Sequence, residues 1–298
     1  MLYILSFFMT ATKAFSQAYH ALVKRPEGIL YLILLGIVYA IALFVPAIAL
    51  YMMGIFTMTG GMLTGAGLGA MALVGIGLLI IWMLILSGFY SAMSYKIGLD
   101  TLDSVKLNLG RLFDFGKRKW LKFTLLEILY LLIMGVLIAI FYVLLVVPTG
   151  IIEGATPDAL IWIGIALAIL VFLVVYLLLY FSYNFLTTEN IGPVQALSRS
   201  YRFVSSNMGK SIKYFILVFI AAIVYAVIIT VIGMIPCVGS IVNIVAGSAF
   251  SLFLYMTAFA FIRLLGPKRM MAAKPASKPA KKPAAKKRPM PKKKPRRK

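Results

Sequence analysis

Few side chains in this sequence can do chemistry, and those that can are widely spaced. Glu127 stands just past Lys122 at the start of a long apolar run. A carboxyl there is either an interfacial group satisfied by Lys119, Lys122 or water, or a proton or cation site. Asn184 and Asn243 are the amides in or at such runs, where hydrogen bonding between helices is the expected role. One histidine, His20, and one cysteine, Cys237, exclude an intramolecular disulfide and a cysteine-based metal cluster. Gly61, Gly65 and Gly69 lack the preceding strand and the following acid of a dinucleotide fingerprint. Their four-residue spacing suits close helix packing, a homo-oligomer interface or an external loop. No catalytic, cofactor or metal residue is assigned, and an enzyme is not expected.

The densest chemical pattern is cationic. Residues 267–298 hold 15 of the 30 Lys and Arg, with seven prolines and no acid. Lys281, Lys282, Lys286, Lys287, Arg288, Lys292, Lys293, Lys294, Arg296, Arg297 and Lys298 form its basic runs. Such a segment has too little apolar bulk to offset its ordering entropy and is expected to be disordered. It suits anionic leaflet lipids, at roughly 1 kcal/mol per basic residue near the surface. It equally suits ribosomal RNA or DNA, bound by counterion release. No aromatic residue lies between Met270 and Lys298, so nucleic-acid binding would be blind to sequence.

The rest of the chain must place these groups in a bilayer. Of the 298 residues 62% are hydrophobic, and the mean hydropathy is +1.00. Soluble domains sit nearer about 45–50%. Apolar runs long enough to span read at roughly 29–53, 70–95, 123–147, 159–183, 214–235 and 241–265. Polar blocks precede each pair. In the third, Pro193 suits a first helical turn, and Glu189 or Asn190 a cap. There Val194, Leu197, Tyr201, Val204 and Met208 recur at helical spacing, with Arg199 and Arg202 on other faces and Gly209 as the stop. In the second block, Leu102, Val105, Leu109 and Leu112 repeat the spacing, capped by Asp100 or Thr101. In the first, Phe15, Ala18, Tyr19 and Leu22 share a face of an interfacial helix over 2–25. A shift of 92 residues superposes the second and third blocks.

The expected fold is therefore all-α and polytopic. Six transmembrane helices form three hairpins, each preceded by a cytoplasmic-side amphipathic helix. Residues 1–266 form one domain with pseudo-repeats near 10–95, 96–186 and 187–265, and 267–298 the tail. With six spans, every Lys and Arg falls on one side, while the opposite loops carry only Glu153 and Asp158. The positive-inside rule puts both termini in the cytoplasm of a plasma-membrane protein.

Glu189-Asn190-Ile191-Gly192-Pro193, Ala196-Leu197-Ser198-Arg199-Ser200, Asn207 and Ile235-Pro236-Cys237-Val238-Gly239-Ser240 carry a resemblance. Residues 187–265 resemble a group of prokaryotic, especially archaeal, membrane proteins. These are similar to the membrane domain beside some bacterial glycerophosphodiester phosphodiesterases. Proteins of several unrelated functions carry such a domain, so the resemblance implies a fold and no activity, and the catalytic domain of those enzymes has no counterpart here.

Two functions remain open at this level. One is a non-enzymatic membrane scaffold, without cofactors, whose tail holds an anionic partner. The other is a transporter or channel for a neutral or amphiphilic solute. A continuous polar cavity reaching Glu127, Asn184 or Asn243 favours the second. A bundle packed solid favours the first.

Overall fold

The computed structural model describes residues 2–59, 65–151, 158–235 and 238–266. Gly61, Glu153, Cys237 and the basic residues of 267–298 lie outside the described residues. The described elements are all helices. They are α1 (Leu2–Lys24), α2 (Glu27–Thr59), α3 (Gly65–Leu102), α4 (Leu109–Ile151) and α5 (Asp158–Leu179). Then follow α6 (Ser182–Thr188), α7 (Pro193–Ser206), α8 (Met208–Gly233) and α9 (Val238–Leu265). Six spanning segments lie at Glu27–Pro46, Val74–Leu102, Leu109–Val143, Gly164–Thr188, Met208–Gly233 and Gly239–Leu265. The chain is a polytopic helical membrane protein. Its outer surface presents rows of large apolar side chains, such as Ile41, Leu131, Val136 and Val227, to hydrocarbon.

The middle polar block does not form a separate helix. Asp100 and Thr101, expected to start one, instead end α3. Ser104 takes a left-handed φ of 54°. The Val105 N–H then bonds back to the Asp100 carbonyl at 2.8 Å, and the Ser104 N–H to Thr101 at 3.1 Å. This paired closure is a Schellman turn. Asn108 starts the next helix, its Oδ1 accepting from the Arg111 N–H at 3.3 Å. From there α4 runs unbroken for 43 residues, about 65 Å at 1.5 Å per residue. That is twice the ~30 Å of bilayer hydrocarbon, so its first turns stand outside the membrane core. By contrast α7 stops at Asn207, whose Nδ2 donates to the Phe203 carbonyl at 3.0 Å. Ninety-two residues earlier stands Phe115, which has no such side chain, and α4 continues through it.

The first and third surface helices do form, with buried faces that share only Ala18 and Val204 with those expected. On α1 the buried stripe is Ala11, Ala14, Ala18 and Ala21, packed mainly against α9, while Tyr19 is exposed. On α7 the buried face is Ala196, Ser200, Phe203 and Val204. Small residues let backbones approach, so they mark the packed face where bulky ones do not. The cap of α7 also differs: its N-cap is Gly192, whose N–H donates to Gln195 Oε1 at 3.3 Å. Gly209 lies inside α8 and is not a stop.

Buried side chains concentrate at the charged end of the bundle. Phe181, Phe185, Tyr214 and Phe261 form one cluster there, Leu32, Ile97, Leu112 and Leu252 a second, and Phe123, Leu126 and Leu186 a third. Ion pairs lace the same end. Lys96 Nζ meets Asp100 Oδ1 at 2.6 Å, and Arg263 forms a two-pronged pair with Asp103 from α9 to the α3 turn.

The tightest crossing is between α3 and α4 at Gly88. A Cβ built there would lie 2.6 Å from the Thr124 backbone nitrogen and 2.9 Å from its Cα. Because backbone cannot yield as a side chain can, Gly88→Ala must push the helices apart. We expect Gly88→Ala to cost about 1–3 kcal/mol in unfolding from detergent micelles. Gly135→Ala, on α4 with open space around it, should cost nothing. Equal stability of the two variants would refute the close crossing.

Candidate functional site

The α3–α4 crossing sets the surroundings of Glu127. Ser87 and Ser91 are one helical turn apart on α3 and flank Gly88, so both face α4. The Ser87 hydroxyl donates to Glu127 Oε2 at 2.6 Å, and the Ser91 hydroxyl to Oε1 at 2.7 Å. Each carboxyl oxygen thus has one hydroxyl donor. The lysines expected to satisfy Glu127 are engaged elsewhere. Lys119 Nζ donates to the carbonyls of Leu186 and Glu189 at 3.2 and 3.0 Å. Lys122 Nζ donates to Ile191 O at 3.1 Å and Asn190 Oδ1 at 3.2 Å. Both cations sit where the carbonyls left free at the end of α6 and the negative pole of its dipole collect. The ion pairs among the described residues do not include Glu127.

The fourth span is interrupted beside this carboxyl. It was expected to run unbroken over 159–183, but α5 ends at Leu179 and α6 begins at Ser182. A break inside a span leaves backbone groups that only protein can satisfy. Ser200, wholly buried on α7, donates to the Leu178 carbonyl at 2.8 Å and accepts from the Phe181 N–H at 3.2 Å. The Leu179 carbonyl accepts from the Ser182 hydroxyl at 2.6 Å and from Tyr130 on α4. The break therefore fastens α4, α5, α6 and α7 together.

The break also turns a layer of tyrosines toward Glu127. Tyr183 stacks against both Tyr95 and Tyr130, with ring centres 5.2 and 5.5 Å away. Tyr176 and Tyr180 meet edge to face at 5.7 Å. These five rings, with Glu127, Ser87, Leu84 and Leu131, line a cavity of about 430 Å3. A second cavity, about 470 Å3, lies between α2, α3 and α9 and is lined by Leu32, Gly36, Tyr90, Gly247, Ser251 and Asn243 among others.

The three polar residues picked from sequence are not brought together. Glu127 and Asn243 line separate cavities, and Asn184 lines neither. Asn184 is 1% exposed, and its amide oxygen and nitrogen make no hydrogen bond among the described residues, contrary to the expected role between helices. On α7, Val194 and Tyr201 are 65% and 54% exposed, Leu197 is half-buried and Val204 is buried. The helix thus carries a second, outward apolar row beside its packed face. Arg199 approaches Glu189 at 3.6 Å, and Arg202 is exposed. Gly65 and Gly69 lie in the first turns of α3. Sequence reasoning missed Ser87, Ser91, Tyr130 and Ser200. The available signals were the four-residue Ser87–Ser91 spacing and a tyrosine series, Tyr176, Tyr180 and Tyr183, along one helical face.

Ser200→Ala should strip the Leu178 carbonyl and the Phe181 N–H of their shared partner, at about 1–3 kcal/mol. The expected result is lower thermal stability and faster proteolysis near 180–200, with the exposed Ser198→Ala unchanged. A Ser200→Ala protein as stable as the parent would remove Ser200 from that role.

No protein-family model, curated protein or solved structure matches this chain.

Proposed function

We propose that the protein is a non-enzymatic membrane scaffold whose bundle anchors a basic segment that captures anionic partners. The observation that carries this reading is the distribution of charge. Half of the 30 Lys and Arg lie in residues 267–298 without one acid, while the body carries the 8 acids. The partners of this chemistry are anionic lipids of the adjacent leaflet, ribosomal RNA or DNA. By the positive-inside rule the basic side is cytoplasmic, with both termini there, in the plasma membrane. The outward row Val194 and Tyr201, next to Arg202, supports α7 as a helix lying at that interface. The likeness of 187–265 to the membrane domain beside some phosphodiesterases is proposed as a fold relation alone.

The cavity at Glu127 favours a second reading, the handling of an amphiphilic solute by the bundle. The criterion set by the sequence was a continuous polar cavity reaching one of the three polar residues, and Glu127 lines a local cavity walled mainly by tyrosine and leucine. The two cavities have separate linings, so a continuous path through the bundle has no support from them.

The test of the first reading is ultraviolet crosslinking in intact cells, comparing the full chain with one ending at Gly266. Attached nucleic acid that disappears with the segment supports capture of RNA or DNA. Without attached nucleic acid, the full chain should bind vesicles containing phosphatidylglycerol more tightly than the shortened one, with an advantage that fades as salt rises. No difference between the chains in either assay overturns the scaffold.

A further inference from the structure

We propose that the cavity at Glu127 binds the ammonium head of a chain-bearing organic cation. The inference deepens the amphiphile reading and rests on it. Glu127 lies five residues beyond Lys122, about 7.5 Å deeper along α4. An ionised carboxylate in a span is costly unless something of opposite charge or a set of donors meets it. Two serine hydroxyls occupy two of its roughly four acceptor positions. The nearest lysines are committed to backbone carbonyls. The remaining acceptor capacity faces a cavity of about 430 Å3 walled by tyrosine rings. A carboxylate beside aromatic faces is the chemistry that holds alkylammonium groups, by charge and by cation–π attraction.

The rings are not equivalent. Tyr183 is stacked against two rings, Tyr95 and Tyr130. Tyr130 and Tyr176 are not enclosed between two stacked rings, so they are the ones to cover a cation. The cavity opens beside Leu131 and Tyr176, which are 60% and 50% exposed on the lipid-facing surface. An alkyl chain can leave through that opening into hydrocarbon while the head stays near Glu127. A small hydrophilic cation gains nothing from the opening. A sulfate-headed chain would meet the carboxylate with like charge.

The experiment uses the full chain in nonionic maltoside micelles and radiolabelled dodecyltrimethylammonium as the probe, read by equilibrium dialysis against protein-free micelles. One saturable site per chain is expected. Excess tetramethylammonium should compete at least tenfold more weakly than unlabelled probe, and dodecyl sulfate should not compete. Glu127→Gln should weaken binding at least tenfold, and Tyr176→Leu severalfold. Tyr176 is half exposed at the mouth, so its variant decides the matter if Glu127→Gln fails to fold. Absence of a saturable site overturns the proposal, as does full affinity in both variants or equal competition by dodecyl sulfate. Competition by tetramethylammonium equal to that of the probe would place a free cation in the cavity and overturn the chain-bearing ligand. Uptake of the probe into proteoliposomes separates the two ideas, since binding without uptake keeps the site and removes the solute path.

Discussion

A backbone break inside a lipid-embedded helix leaves amides and carbonyls that water does not reach. Each must be answered by protein or it costs several kcal/mol. In this bundle that constraint falls at Tyr180 and Phe181. Ser200 answers it from α7, Tyr130 from α4 and Ser182 from within α6. Because three elements are spent on one interruption, their mutual placement is fixed by hydrogen bonds as well as by packing. The aromatic cluster of Phe181, Phe203, Tyr214 and Phe261 closes over the far side, with Tyr214 and Phe261 stacked at 4.4 Å. The interruption is therefore the joint that carries the charged end of the bundle.

The lysines follow from the same constraint. Lys119 and Lys122 are one turn apart on α4, and both reach carbonyls at or just beyond the end of α6. Each supplies positive charge to the negative end of a short helix and satisfies carbonyls left over there. That arrangement keeps them from Glu127, which takes serine partners instead. At the neighbouring turn, Asp103 and Arg263 tie the end of α3 to the end of α9. An ion pair that is partly exposed contributes modestly to stability. Its use here is geometric, since it joins helices distant in sequence.

The spans were legible because they follow from composition and length, which a single sequence contains in full. A run such as 214–235 has one reading in a bilayer whatever surrounds it. The faces of the surface helices were less legible. Periodicity finds the bulkiest row, and on α7 that row includes Val194 and Tyr201, which point away from the protein. The packed row is built from Ala196 and Ser200, whose small size is the reason they pack. A shift of 92 residues superposes two polar blocks as pattern, yet they fold differently: α7 ends at Asn207 and α8 begins, while α4 runs on through Phe115. Glu127 stood out as an isolated acid, but its partners lie on α3, and only the crossing at Gly88 brings Ser87 and Ser91 to it.

That crossing bears on why the carboxyl is there at all. An apolar residue at position 127 would span the bilayer at lower cost, and removing buried charge in favour of packing is commonly neutral or stabilising. Serine hydroxyls could equally satisfy carbonyls of their own helix, as Thr187 does with Tyr183 at 2.8 Å. Instead two of them, on either side of Gly88, where α4 comes close, are turned on a single acid at the edge of a cavity. Stability alone gives no reason for that expense. The arrangement holds both carboxyl oxygens in fixed positions while leaving acceptor capacity toward the tyrosine walls. A group held in place and left incompletely partnered is what the proposed site requires, and its depth, one turn or so below the interfacial lysines, suits the head of a molecule whose remainder belongs in hydrocarbon.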